Sequence, residues 1–266
     1  MTAQQLEDIT QFLKTICREA GERIMRFYND DSLWQAHTKA DKTVLTEADL
    51  AANQYLMEAL NEKYPEIYFL SEEIAVPDLQ TRSQYEYYFL ADPLDGTKSF
   101  VTKTGEFSVN VALIHRDTAI AGCVYFPVLD LMYYAHAQSQ AFRQNSATAQ
   151  AEPIFAANFQ LQTPQLNVVC SHSHHNRATQ AYIDQLNMPQ ARRVGASLKF
   201  MRIAEGVAHL YPRFGSGMNE WDVAASQIIV ERAGGAVIDP ISQQPMRYNK
   251  PDMLVPNFIA SGNIIA

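Results

Sequence analysis

Asp92 and Asp95 stand in the segment Asp92-Pro93-Leu94-Asp95-Gly96-Thr97, directly behind the apolar run Tyr87-Tyr88-Phe89-Leu90. Two acids at that spacing, followed by a glycine and a hydroxyl, can build a metal-phosphate site at a strand end. Magnesium takes carboxylate and carbonyl oxygens in octahedral geometry and keeps positions for water and substrate phosphate. Pro93 fixes φ and has no N–H, so a stiff turn can aim the Leu94 carbonyl at the ion that the acids hold. Gly96 lets backbone approach a ligand, and its N–H and that of Thr97 start a helical turn that offers an anion-binding end. Asp-Pro and Asp-Gly pairs are also ordinary turn chemistry, so this segment alone leaves a solvated loop open.

Three further features join it. Ser71-Glu72-Glu73 follows the apolar run Ile67-Tyr68-Phe69-Leu70, a second probable strand end. Trp221-Asp222-Val223-Ala224-Ala225 opens a helix with Val223, Ala224, Ile228 and Ile229 on its apolar side, where an aspartate also suits a cap and the helix dipole. Thr46-Glu47-Ala48-Asp49 has the form of a capping box starting the helix Leu50 to Leu60. Each has a plain structural reading; together they favour the metal chemistry.

The elements that must position these groups follow from periodicity. Leu6, Ile9, Phe12, Leu13, Ile16, Cys17, Ala20, Ile24 and Phe27 recur at helical spacing, which predicts an opening amphipathic helix, and a second helix covers 47–63. Three β-rich runs, 107–115, 119–126 and 131–137, predict a meander. The polar stretch 137–159 reads as the seam between an N-terminal α+β domain, 1–150, and a C-terminal α/β domain, 151–266. Beyond it strand and helix alternate: 166–170, 175–186, 192–194, 198–206, 208–211, 221–233 and 236–238.

Composition is consistent with a sizeable globular chain. The 266 residues are 47% hydrophobic, enough for one large core or two coupled layers. A net charge of −8 argues against nonspecific binding to nucleic acid polymers, although local basic residues can meet a small polyanion. Cys17, Cys123 and Cys170 lack pairing or zinc-like spacing, as suits a reducing compartment. The start, Met1-Thr2-Ala3-Gln4-Gln5-Leu6-Glu7-Asp8, has neither the basic nor the apolar region of a signal peptide, and no stretch approaches the ~18 apolar residues of a membrane span. The expectation is a cytoplasmic protein, with peripheral attachment to the inner membrane left open.

The motifs carry a resemblance. Asp92-Pro93-Leu94-Asp95-Gly96-Thr97, Glu72-Glu73 and Trp221-Asp222-Val223-Ala224-Ala225 resemble the paired signatures of the lithium-sensitive inositol monophosphatase superfamily. Lys98, the stretch from Gly105 to Ile114, Ser197-Leu198-Lys199-Phe200 and Leu210-Tyr211-Pro212-Arg213-Phe214-Gly215 resemble its CysQ-type 3'(2'),5'-bisphosphate nucleotidases, over nearly the whole chain. The resemblance implies an α/β fold, a layered αβαβα sandwich with the active site between its two parts. It implies two to three Mg2+ ions and inhibition by Li+. Glu72, Asp92 and the Leu94 carbonyl would hold one ion, Asp92, Asp95 and Asp222 a second, and Glu72 with solvent a third. Thr97 would hold the attacking water, supported by Asp49 behind it, with Glu72 orienting and deprotonating that water. Gly96 and Thr97 N–H groups would hold the phosphate.

For the substrate, the resemblance implies 3'-phosphoadenosine 5'-phosphate, cleaved to AMP and phosphate. Lys199 matches the lysine for the remaining phosphate, with Ser197 assisting, and Ser171 and His174 match positions that contact the nucleotide. His172 stands where the branch usually has arginine, and Ala196 where serine is common. An inositol monophosphatase is the nearest rival, and a non-catalytic metal-binding protein on the same fold is a rival of another class. The bisphosphate nucleotidases resembled here are often monomers, which makes a monomer the expectation.

Overall fold

The structure is a computed structural model that describes residues 1–38, 44–172, 176–215 and 217–265. Its elements run α1 (Ala3–Asn29), β1 (His37–Thr38), β2 (Val44–Leu45), α2 (Glu47–Lys63), β3 (Tyr68–Ser71), α3 (Leu79–Arg82), β4 (Tyr87–Asp95) and α4 (Thr97–Val101). A meander follows, β5 (Ser108–His115), β6 (Thr118–Phe126), β7 (Leu131–His136), β8 (Phe142–Asn145) and β9 (Glu152–Pro153). The chain then gives β10 (Asn158–Phe159), β11 (Asn167–Cys170), α5 (Arg177–Ile183), β12 (Gln190–Arg193), α6 (Leu198–Ala204) and β13 (Leu210–Arg213). It ends with α7 (Glu220–Arg232), β14 (Ala236–Ile238), β15 (Phe258–Ser261) and β16 (Asn263–Ile264).

Strands β3 to β9 form a seven-stranded sheet in chain order, antiparallel except for the parallel pair β3–β4. The second sheet has five strands in the order β12-β11-β13-β15-β14, parallel from β12 to β13 and antiparallel thereafter. The first sheet is buried on both faces, so its strands read as continuous apolar runs rather than a polar-apolar alternation. Period two is still visible in what each side chain touches. Along β4 and β5, Phe89, Ala91, Val109, Val111 and Leu113 pack toward α1 and α2. Tyr88, Leu90, Ala112 and Ile114 pack toward α6, α7 and the second sheet. A smaller cluster of Val168, Leu210 and Ile183 covers the outer face of the second sheet with α5. The layers are thus helix, sheet, helix, sheet, helix, as the resemblance implied.

The polar stretch 137–159 holds β8 and β9, which continue the first sheet, and the chain leaves that sheet after Pro153, within the stretch. One expectation is corrected. The segment after Leu90 is no turn: β4 continues through Asp95 with a register shift, Asp92 opposite Asn110 and Asp95 opposite Ser108. Three steps on β4 face two on β5, a bulge of one extra residue. The proline sits where the ladder is already interrupted. All three cysteines are free and buried.

Candidate active site

The bulge decides where the acids point. In a regular strand Asp92 and Asp95 would face opposite sides. One extra residue restores the match, and Leu94 swings instead into the core under α1 and α2. Both acids line a cleft of ≈ 520 Å³ between the two sheets, on the side covered by α7. Ligand atoms of Glu72, just past β3, of Asp92, and of Asp222, in the first turn of α7, lie within 4.8 Å of one another. Asp92 is almost fully buried, and its Oδ1 accepts from the Leu94 N–H at 3.1 Å.

Such a cluster is electrostatically costly without a cation. Burial first, and then the neighbouring Glu72, Asp95 and Asp222 carboxylates, hold the Asp92 carboxyl well above the usual range. Burial, followed by Asp95 and Glu72, pushes Asp222 up to about 8. An all-oxygen set of acids that resist carrying their charges together fits a hard divalent cation, which would remove the repulsion.

The capping readings of Asp49 and Asp222 hold as well as their place at the site. Asp222 Oδ2 accepts from the Asn219 N–H at 2.8 Å, closing the capping box of α7 and fixing the carboxylate at the cluster. Asp49 Oδ2 accepts from the Thr46 N–H at 2.8 Å and the Thr46 hydroxyl at 2.6 Å, which leaves Oδ1 to accept from the Thr97 hydroxyl at 3.2 Å. The Thr97 hydroxyl also lies 3.2 Å from the Leu94 carbonyl oxygen. Its one proton is engaged by these acceptors, so toward the cleft the oxygen presents lone pairs. Burial raises the Asp49 carboxyl to about 6.

Gly96 caps α4 from a left-handed conformation, φ +91°, with no side chain closing the helix start. A Cβ there would lie 2.9 Å from the Glu106 carbonyl oxygen and also strain the backbone.

Asp95 is held by Ser197, to which the sequence reading gave a different role, and by Asn110 and Ser108, to which it gave none. Its Oδ2 accepts from the Ser197 hydroxyl at 2.7 Å, the Asn110 amide at 3.3 Å and the Ser108 hydroxyl at 3.5 Å. Ser197, expected beside the ligand phosphate, is 1% exposed and also accepts from the Asn110 amide at 2.9 Å, which sets it behind Asp95. Period two along β5 could have found Ser108 and Asn110, because both share a face with the segment they support. Lys199 lies in α6 on the opposite wall of the cleft with Ser171 and His172. Its Nζ donates to the Ala196 carbonyl at 2.6 Å, and burial lowers the ammonium to about 8. His174 lies outside the described residues.

A model of the inositol monophosphatase family matches residues 5–266. The chain belongs to the inositol monophosphatase family. It is 38% identical over 247 residues to the 3'(2'),5'-bisphosphate nucleotidase CysQ of Escherichia coli strain K12, covering 92% of this chain and 96% of that relative. The protein of the same name from Buchnera aphidicola is 37% identical over 233 residues, covering 85% of this chain and 84% of its own. Among solved structures, CysQ from Bacteroides thetaiotaomicron superimposes with a TM-score of 0.84 at 30% identity, covering 97% of this chain and 98% of its own.

Proposed function

We propose that the protein is a magnesium-dependent 3'(2'),5'-bisphosphate nucleotidase that converts 3'-phosphoadenosine 5'-phosphate and water to AMP and phosphate. The observation that carries this reading is a cluster of acids around the buried Asp92 that shares one cleft with the buried Lys199. Its CysQ relatives bear the name of that activity. Glu72, Asp92, Asp95, Asp222 and the Leu94 carbonyl would hold magnesium, which when bound would neutralise charge at the phosphoryl oxygens and acidify water.

The chain's own groups do the rest. Thr97, its hydroxyl proton engaged by Asp49 and Leu94, accepts a hydrogen bond from the attacking water and so turns a lone pair of that water toward phosphorus. Glu72, at the other edge of the cluster, takes the proton. The N–H groups of Gly96 and Thr97 hold the departing phosphate. Lys199, Ser171 and His174 receive the nucleotide end, the lysine meeting the 5'-phosphate. The buried ammonium has lost water already, so a phosphate compensates it strongly.

The test is phosphate release at saturating magnesium from 3'-phosphoadenosine 5'-phosphate and from inositol 1-phosphate in parallel, with and without lithium. A preference for the nucleotide that lithium suppresses and Lys199→Ala abolishes is the expected result. Preference for inositol phosphate would discard the substrate, and release from neither would discard the enzyme.

A further inference from the structure

Outside the acid cluster, one side chain ties the two walls of the cleft together. Glu106, in the connection between α4 and β5, has its Oε2 2.9 Å from the Gly195 nitrogen, whose N–H it accepts, and 3.0 Å from Nε2 of His172. Its main chain comes equally close. A Cβ on Gly195 would stand 2.8 Å from Glu106 Oε2 and 2.9 Å from Glu106 Cβ, and one on Gly96 would stand 2.9 Å from the Glu106 carbonyl oxygen. Gly96 belongs to the wall with the acids; Gly195 opens the turn that presents Lys199. The absence of a Cβ at both positions is what lets Glu106 fit between them.

The turn itself is tightly drawn. Ala196 has φ +45°, its Cβ lies 3.2 Å from where a Gly96 Cβ would be, and its carbonyl accepts from Lys199 Nζ. Phe107, next to Glu106, is fully buried and anchors that end. An acid beside an anion site repels the anion unless its charge is met, and here the Gly195 N–H and His172 meet it.

We propose that Glu106 is a positioning residue that sets the span between the acid cluster and Lys199, and with it the preference for a substrate carrying two phosphates over one carrying a single phosphate. The proposal rests on Lys199 being the site of the second phosphate, as argued above. Glu106 acts through the Gly195–Ala196 turn and touches no reacting atom.

Two measurements test it. Calorimetric titration with AMP in EDTA reads the second-phosphate site without metal; kcat and KM for 3'-phosphoadenosine 5'-phosphate and for adenosine 3'-monophosphate read it in the magnesium-loaded protein. In Glu106→Ala, AMP binding weakens and KM for the bisphosphate rises by about tenfold, the scale of one lost charge-assisted hydrogen bond, while both constants for the monophosphate stay within about twofold. Glu106→Gln keeps an acceptor for the Gly195 N–H and recovers most of the loss. Should Glu106→Ala not fold by circular dichroism, Glu106→Asp, one methylene short of Gly195, gives the same comparison. Unchanged AMP binding, or equal loss on both nucleotides, would overturn the proposal. A wild-type protein that binds no AMP and treats both nucleotides alike would remove the second-phosphate reading, and this proposal with it.

Discussion

The Thr97 hydroxyl and the Asp49 carboxylate meet at 3.2 Å although they stand 48 residues apart in the chain. Asp49 closes the cap of α2 with one oxygen and fixes Thr97 with the other. In Asp49→Asn, an amide that keeps its oxygen on Thr46 turns its NH2 toward Thr97 and reverses that hydrogen bond. The expected loss of kcat is roughly 10–100-fold, typical of groups that orient a metal site from behind, with the fold intact by circular dichroism. Thr97→Ala loses the water contact itself, and kcat falls by roughly 10²–10⁴-fold with KM little changed. Phosphate release unchanged in Thr97→Ala would refute the mechanism.

Magnesium should stabilise the protein more as pH rises. Asp222, raised to about 8 by burial and by Asp95 and Glu72, keeps a proton in the folded, metal-free state that the unfolded chain has already lost. Its contribution to stability is complete below the ordinary aspartate pKa, about 4, and is lost as pH climbs through about 8. Asp92 shifts the same way. The difference in melting temperature between magnesium and EDTA is therefore larger at about pH 8.5 than at about pH 6, and an equal difference at both would contradict the buried-acid account.

Lys199 has the opposite sign. Its ammonium, lowered to about 8, loses its proton as pH rises through that value, and with it the attraction for a phosphate already doubly charged above pH ~6. KM for the bisphosphate rises above pH 8 while KM for a monophosphate does not. Lys199→Ala raises the bisphosphate KM by roughly 10–100-fold and flattens that rise. Steady-state kinetics across pH 6.5 to 9.5 reads both effects.

Ser197→Ala separates two roles. Because its hydroxyl holds Asp95, the variant should weaken magnesium affinity by roughly tenfold or more, as loss of a ligand's supporting hydrogen bond does, and lower turnover of every phosphomonoester alike. A rise confined to the bisphosphate KM would return Ser197 to the substrate.

Much of this was legible in the residues because the governing effects are local. The box at Thr46 and Asp49, the apolar stripe of α1 and the alternation of the C-terminal elements follow from short-range periodicity, and they appear within a few residues of expectation. The bulge at Asp92–Asp95 was not legible. Asp, Pro and Gly are turn residues by propensity, and only pairing with β5 keeps the segment extended. Strands β15 and β16 were also missed, because they are short and acquire their partners, β13 and β14 for the one and β10 for the other, from elements well away in sequence. The same holds for Ser197, which beside Lys199 reads as a ligand contact until the fold brings Asn110 and Asp95 to it.

The extra residue in β4 makes the length of the motif as consequential as its chemistry. Deleting Pro93 would leave Asp92 and Asp95 on one face but heal the ladder opposite Asn110 and Ser108, and the Leu94 carbonyl would rejoin the sheet instead of facing Thr97. Inserting one residue would swing Asp95 into the layer that now holds Leu94, beneath α1 and α2. A substitution here alters one oxygen, whereas an insertion or deletion re-aims the whole half-site. This strand therefore withstands the exchange of a letter far better than a shift of the reading along it.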